Sequence, residues 1–445
     1  MSIGLRLTNR TFLLACIFSS LVVCLFILTN SRIQPSYKSH ILSLRITTVN
    51  EEANQSKLPG YFVQYEHPVP SNISYCNFHY GLPLELKYST EDEEYGPEMG
   101  PNSPYRILYN IITPKIDSNV PGITYATHMT STFMRYVPEL LRYWDGMLSI
   151  AAFVPEIDAA FVISQLNQFC YCLPGMSRVS FHFVYHKDIP PSKKYVYFTK
   201  PTSCKVDDSS KFDTYSKNAV KRSTYPINVC RNAARSAAIT NDVLVSDIQL
   251  MPSEGLARKF LAMKETYKLT DIVDRVYVLP IFEVESTVEI PRTKKELIQL
   301  AKDEKAVYFH RYICTHCQKF PNIAAWMVTD PGDAVKPFIT VKREVPYHRW
   351  EPIYIGTKNE PPYNELLSWE GLQDKMLQML EMCLVGYKFV ILDGAFLVHW
   401  PGMKKTKTKE EKWRESFVQA NTKQYHIILR NLTAKYPPRP QCKMQ

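Results

Sequence analysis

The sequence predicts an α/β protein with a mainly parallel sheet covered by helices on both faces, set behind a single apolar N-terminal segment. Three observations predict this. From about Tyr105 onward, apolar strand-like runs alternate with stretches of helical spacing, the order that gives parallel sheets with crossover helices. The 445 residues are 45% hydrophobic and 22% charged, enough to bury the core of one large or two ordinary domains. Only 15 glycines stand against 31 prolines and 28 tyrosines, and no internal repeat is evident, which argues against a fibrous or low-complexity chain.

Taken in order, Phe12 to Leu28 is an uncharged apolar run at the short end for a spanning helix. Arg6 and Arg10 precede it and favour a cytosolic N-terminus. A cleaved signal peptide is the alternative, but the run is long for one and TNSRIQPSY offers no clean small-x-small site. The expectation is therefore a cytosolic tail over 1–11, a transmembrane signal anchor over 12–29 and a lumen-facing remainder. Sequons at Asn54, Asn72 and Asn431 agree with that orientation. Of the eleven cysteines, Cys16 and Cys24 lie in the apolar run; the nine left are an odd number, so at least one is free or pairs with another chain. An oligomer of this chain, or with other proteins of its kind, stays open. The sequence does not assign the bridges.

Residues 30–103 are rich in Ser, Pro, Tyr and Glu and read as a stem, with partial folding around Cys76 as an option, closed by EDEEYGPEMG and PNSP. Residues 104–442 form the expected folded domain. Within it, ITYATHM, LSIAAFVP, RVSFHFVYH and DVLVSDIQL read as strands, with STFMRYVPELLRY, IDAAFVISQLNQF and NVCRNAARSAAI as the helices between them. Further on, PSEGLARKFLAMKETYKL is helical and VYVLPIFEVE is extended. TKKELIQLAKDE opens with a capping-box pair, Thr293 and Glu296. QDKMLQMLEMCLVG is an amphipathic helix, KFVILDGAFLVH one long apolar strand, and a last helix covers roughly 409–435. A ligand would sit beyond the carboxyl ends of the strands.

VLVSDIQLMPSEGL is the most informative stretch. An apolar strand ends in Asp247, and a carboxylate at such a place is costly unless a cation or a hydrogen bond meets it. Two positions on, where a second acid would complete a divalent-metal site, stands Gln249, whose amide oxygen coordinates without charge. The net charge of +10 is dispersed apart from MKKTKTKEEK, and with a luminal address it points to phosphate-bearing small molecules and acidic glycans, not nucleic acid. Cys314 and Cys317 form a lone C-x-x-C around His316; with no second such pair to complete a tetrahedral zinc site, a disulfide between them or from them to other luminal cysteines is the expectation.

Ten segments in order, YATHMTSTFM, RYWDGMLSIAAFVP, YPINVCRNAAR, LVSDIQLMPSEGL, VLPIFEVE, RTKKELIQL, YICTHCQ, RWEPIYIG, DGAFLVHWPGMKK and LTAKYPPRPQC, resemble glycosyltransferase family 49 from about Thr124 to Cys442. The match is to the single-domain glucuronyltransferases of the dystroglycan O-mannose pathway, since no second transferase domain is present as in the LARGE enzymes. The resemblance implies a GT-A fold, a UDP-sugar donor, Mn2+ as cofactor, inversion at the anomeric carbon and a Golgi address, with a glycan on a glycoprotein as acceptor. It places Asp247 at the ribose or the metal, Gln249 in the position of the second acid, and His399 as the histidine completing the metal site. Lys404 would meet the diphosphate, Asn232 and Arg235 would lie near the nucleotide, and Thr127 and His128 would end the strand below the uracil and ribose. Glu351, beside Trp350 as a sugar-stacking platform, is the first choice for the base that deprotonates the acceptor, and Asp393 the second. Asp393 has the alternatives of hydrogen-bonding the acceptor or fixing the turn at Gly394, and Glu351 that of a structural acid paired with Arg349 or Arg343. N-acetylglucosamine is the alternative donor sugar, and a silent, binding-only member is the alternative to an enzyme.

Overall fold

The computed structural model describes residues 69–443 except 83–84, 116, 194–199, 205–223, 270–273, 401 and 406–411. The expected tail, the anchor, most of the stem and the sequon at Asn54 lie outside the described residues. Among those described, no helix is long and apolar enough to cross a membrane.

The chain begins with two short strands, β1 (Asn77–Phe78) and β2 (Glu94–Tyr95), and then β3 (Tyr105–Thr113). Next come β4 (Ile123–Thr130), α1 (Tyr136–Tyr143), β5 (Met147–Phe153), α2 (Asp158–Cys172), β6 (Val179–His186), α3 (Ile227–Ser236) and β7 (Asp242–Asp247). The second half holds β8 (Leu250–Pro252), α4 (Leu256–Thr266), β9 (Arg275–Leu279), β10 (Ile281–Val284), α5 (Lys294–Lys302), β11 (Ala306–Tyr308), the single turn α6 (Ile323–Trp326) and β12 (Lys336–Val341). It closes with β13 (Ile353–Gly356), α7 (Met376–Val385), β14 (Lys388–Asp393), β15 (Leu397–His399) and α8 (Glu415–Lys435).

The central strands β6, β5, β4 and β7 lie side by side and parallel. They are buried on both faces, as a parallel sheet requires. On one face, Val229, Cys230, Ala233 and Ala234 of α3 pack against Ala126, Ala151 and Val243. The small residues on both sides let the helix backbone approach closely. The opposite face carries the larger core, where Val162, Ile163 and Leu166 of α2 and Leu140 of α1 meet Tyr125, Ile150 and Phe181.

Beyond this block the sheet is mixed, which corrects the expectation of a mainly parallel one. Its order is β1-β3-β6-β5-β4-β7-β13-β9-β14-β12, with β2 also on β3. β3 runs antiparallel to β6, β13 is inserted antiparallel between β7 and β9, and β12 closes the far edge antiparallel to β14. The strands that change the class are the ones with weak sequence signals, such as the short IYIG of β13 and the half-exposed KPFITV of β12.

Two runs expected to be continuous are each broken and shared between sheets. β9 gives way to β10 at Pro280, and β14 to β15 at Gly394. β9 and β14 pair in parallel in the large sheet, while β10 and β15 pair in parallel in a second sheet ordered β11-β10-β15-β8. Gly394 sits at φ +78°, and a Cβ there would lie 2.3 Å from the Ala334 carbonyl oxygen, so no other residue fits this bend without backbone movement.

Part of the segment before residue 104 joins the folded unit. β1 and β2 both pair with β3, and Cys76, Leu82 and Leu86 join the core. A disulfide ties Cys76 to Cys170 of α2. The others described are Cys172–Cys204, Cys314–Cys317 and Cys383–Cys442, leaving Cys230 of α3 free and buried. The odd cysteine and the closed C-x-x-C both match expectation, as does the capping box of Thr293 and Glu296 at α5.

Candidate active site

In β7 and β4, Val243, Val245 and Asp247, like Ala126 and His128, share the sheet face under α3. Asp247 and His128 are register partners at the carboxyl ends of these strands. Asp247 keeps 34% of its side chain exposed, so a ligand reaches it from above. Its Oδ1 accepts from Nε2 of His128 at 3.0 Å and from Nη2 of Arg231 at 3.2 Å. Nζ of Lys375 stands 3.6 Å from Oδ2. Burial pushes the carboxyl pKa upward, but Lys375, His128 and Arg231 outweigh it and hold Asp247 well below the usual carboxylate range. Burial lowers His128, which stays a neutral imidazole with Nδ1 against the Tyr225 hydroxyl at 2.7 Å.

Arg231 enters from α3 and is itself buried. Its other nitrogen, Nη1, donates to Asp374, beside Lys375 at the start of α7. Arg231 and Lys375 thus face Asp247 and Asp374 as a balanced quartet. Burial opposes both cations, and the carboxylates, Asp374 most strongly for Arg231 and Asp247 for Lys375, overcome it.

The second sheet brings up the other wall. His399 ends β15 opposite Leu250 of β8, and the Trp400 amide donates to the Gln249 carbonyl at 3.2 Å. This stitches the end of β15 to the Asp247–Gln249 turn. The His399 ring is buried, and its Nδ1 has no hydrogen-bond partner among the described residues. Burial, helped by the charge of Lys404, takes its pKa down to about 3. Glu283 of β10 is the register partner of His399. It is fully buried, neither of its oxygens makes a well-formed hydrogen bond, and burial raises it to about 7 against the pull of Lys404 and the amides of Lys404 and His310. His310 falls to about 4 through burial and the charges of Lys404 and Lys375.

Glu351 lies next to this quartet. Burial raises its carboxyl, Lys375 opposes the rise and Asp374 adds to it. Its backbone is fixed by a bond from its amide to the Cys317 carbonyl at 2.9 Å and one from Gln318 Nε2 to its own carbonyl at 2.7 Å. Trp350 does not offer a stacking platform: it is 1% exposed and packs on Phe389 in the core.

The structure therefore brings Asp247, His128, His399, Lys404 and Glu351 into one electrostatic neighbourhood and sends four expected residues elsewhere. Asn232 is held by the loop after β13, donating to the Tyr363 carbonyl at 2.7 Å and to Glu365 at 2.9 Å. Arg235 donates to the carbonyls of Glu360 at 2.6 Å and Pro361 at 3.1 Å. Both fix a loop and do not line the opening at Asp247. Thr127 points to the sheet face opposite His128 and is fully buried. Asp393 is enclosed: Lys294 Nζ at 2.6 Å and the Gly394 amide at 2.9 Å meet Oδ1, and the Thr329 hydroxyl at 2.7 Å meets Oδ2. It fixes the turn at Gly394, one of its alternative roles. The residues that sequence reading missed are Arg231, Lys375, Asp374, Glu283 and His310. The helical spacing of Asn228, Arg231, Asn232 and Arg235 marks one face of α3, but nothing local says which of them reaches the strand ends.

The residues present do not fit a divalent ion. Among the described residues, three His, Cys, Asp or Glu ligand atoms come within 4.8 Å of one another only at Cys314, His316 and Cys317, where both sulfurs are consumed by the disulfide. At the strand ends one carboxylate is available, already compensated by Arg231 and Lys375. Gln249 adds no charge, and its amide nitrogen donates to the Tyr136 hydroxyl at 3.1 Å. Mn2+ normally takes several anionic or oxygen ligands.

Residues 122–437 match the family model described as a glycosyl-transferase for dystroglycan, a span that includes every site residue named above. The chain belongs to this glycosyltransferase family. Similar relatives are beta-1,4-glucuronyltransferase 1 of Danio rerio and of Homo sapiens, each 28% identical over 76% of this chain and 81% of the relative. More distant is the xylosyl- and glucuronyltransferase LARGE1 of Homo sapiens, 19% identical over 65% of this chain and 32% of that one. Among solved structures, GalNAc-T7 with UDP, GalNAc and Mn2+ aligns over 81% of this chain and 61% of its own, at 8% identity and a TM-score of 0.36, too distant to bear on fold or chemistry.

Proposed function

We propose that this chain is an inverting transferase that moves glucuronic acid from UDP-glucuronic acid to a hydroxyl of a glycan. The observation that carries the reading is Asp247, partly exposed at the ends of parallel strands and ringed by Arg231, Lys375 and His128 inside the family-matched span. Nucleotides bind at such strand ends, and a GT-A-like assignment of the mixed sheet follows from the same family membership. The names of the relatives support glucuronate as the sugar.

The chemistry asked of the residues is simple. The nucleoside lies over the ends of β4 and β7, where the Asp247 carboxylate is free to accept from ribose hydroxyls. The diphosphate meets Lys375 and Lys404. Glu351 takes the proton of the acceptor hydroxyl as that oxygen forms a bond to the anomeric carbon. The bond from that carbon to the diphosphate oxygen breaks, the configuration inverts, and UDP departs with its added negative charge facing the lysines.

The cellular setting belongs to the same proposal. The apolar run over 12–28, its preceding arginines, the sequons and four disulfides support a single-pass Golgi membrane protein with a luminal catalytic unit and a glycoprotein acceptor. Gln249, where the family carries an acid, favours a second reading: a member that binds the nucleotide sugar or a glycan without turnover. One experiment separates them. The full-length chain in detergent is assayed for UDP release from UDP-glucuronic acid, UDP-N-acetylglucosamine and UDP-xylose with a panel of O-mannosyl glycans. Release with UDP-glucuronic acid that disappears in Asp247→Asn is the expected result; binding without release from any donor sinks the enzyme reading in favour of the second.

A further inference from the structure

We infer that this site holds the diphosphate of its nucleotide through the chain's own cations, Lys375 with Arg231 behind it and Lys404 across the opening, and works without a divalent metal ion. The inference deepens the proposed function and rests on its placement of the nucleotide at Asp247.

Three observations carry it independently of one another. The first is the ligand set: one carboxylate, one neutral amide and a histidine that comes from the other sheet, with no group of three His, Cys, Asp or Glu ligand atoms gathered there among the described residues. The second is the charge already present. Arg231 and Lys375 stand 3.2 and 3.6 Å from the Asp247 oxygens. A doubly charged ion on those oxygens would have two unit positive charges as neighbours, in a setting where water screens them poorly. The third is the opposite side. Lys404 is exposed, five residues beyond His399 on the segment that leaves β15, and that segment is bonded to the Asp247–Gln249 turn through the Trp400 amide and the Gln249 carbonyl at 3.2 Å. Its charge also acts on Glu283, His310 and His399.

These positions suit a diphosphate better than a metal. An ammonium on a flexible stem approaches phosphate oxygens as a point charge. Arg231, locked between Asp247 and Asp374, keeps Lys375 pointed by fixing the carboxylate that Lys375 faces. Gln249 then stops being a damaged ligand: a second acid there would add negative charge beside the phosphate with no ion to offset it.

The test is calorimetric titration of the full-length chain with UDP, once in EDTA and once in excess MnCl2, alongside UDP release. Wild type is expected to bind UDP with the same affinity, within about twofold, in both. Lys375→Ala is expected to weaken UDP at least tenfold in either buffer, with Lys375→Arg restoring most of it. A thermal melt of each variant shows that the chain is folded. Gln249→Asp is expected to weaken UDP in EDTA and to recover on adding Mn2+. UDP binding by wild type that vanishes in EDTA and returns with Mn2+ overturns the inference and leaves the transferase reading intact. So does a folded Lys375→Ala with unchanged affinity. Metal-independent binding without release from any donor upholds the inference and overturns the transferase reading, and no binding in either buffer overturns both.

Discussion

Glu351 and Asp393 show how two acids of equal standing in the sequence part company in the fold. Asp393 is buried with a direct ion-pair partner, whereas Glu351 is half-buried and has none among the described residues. Glu351 must lose its proton to act as a base, and burial moves that event above the usual carboxylate range. The turnover rate should therefore rise with pH along a limb displaced toward neutrality, and Glu351→Gln should remove that limb and lower kcat by about 10²–10⁴-fold with KM for the donor little changed. The same shift has a stability sign. The folded chain holds the Glu351 proton more tightly than the unfolded one, so this contribution is present at low pH and is lost as pH rises through the folded pKa. Asp393→Asn should behave differently, leaving the Lys294 ammonium buried without its counter-charge. A loss of about 3–5 kcal/mol in urea unfolding is expected, with UDP affinity unchanged. Asp247, His128 and His399 are legible in the sequence because each lies at or near the end of an apolar strand. Lys375 and Arg231 are not, because their meaning comes from how α7 and α3 settle on those strand ends.

At the scale of elements, the sharpest feature is the bend at Gly394. Replacing it with alanine puts a side chain into a left-handed backbone and a Cβ against the Ala334 carbonyl. Left-handed strain alone is worth about 1–2 kcal/mol; with the clash, the midpoint of chemical denaturation should fall by more than strain alone predicts, and UDP affinity should drop as β15 and His399 shift. A single apolar run such as KFVILDGAFLVH does not announce such a break. The glycine is visible, but only the presence of two sheets makes it a corner. The long helices and the strands β4 to β7 are readable because their periodicity is strong and local. β12 and β13 are not: one is half exposed, the other only four residues long, and both take their place from partners far along the chain.

For the whole molecule, the sequence conveys an α/β domain with its site at the carboxyl ends of the strands. It misses the sheet's mixed character, which depends on antiparallel pairings between distant segments. Its expectation of a luminal orientation has a direct test. Asn72 and Asn431 are exposed, so a chain with its folded unit in the lumen should carry glycans at both, and removal by an endoglycosidase should shift its gel mobility in steps abolished by Asn72→Gln and Asn431→Gln.

The two strands broken at Pro280 and Gly394 have one more consequence. Each runs from the large sheet into the small one, and they run side by side, so the two walls of the opening are braced by a pair of parallel beams. Walls joined in this way do not swing apart about a hinge. At the proposed nucleotide site, closure is then left to side chains and loops above a stiff floor.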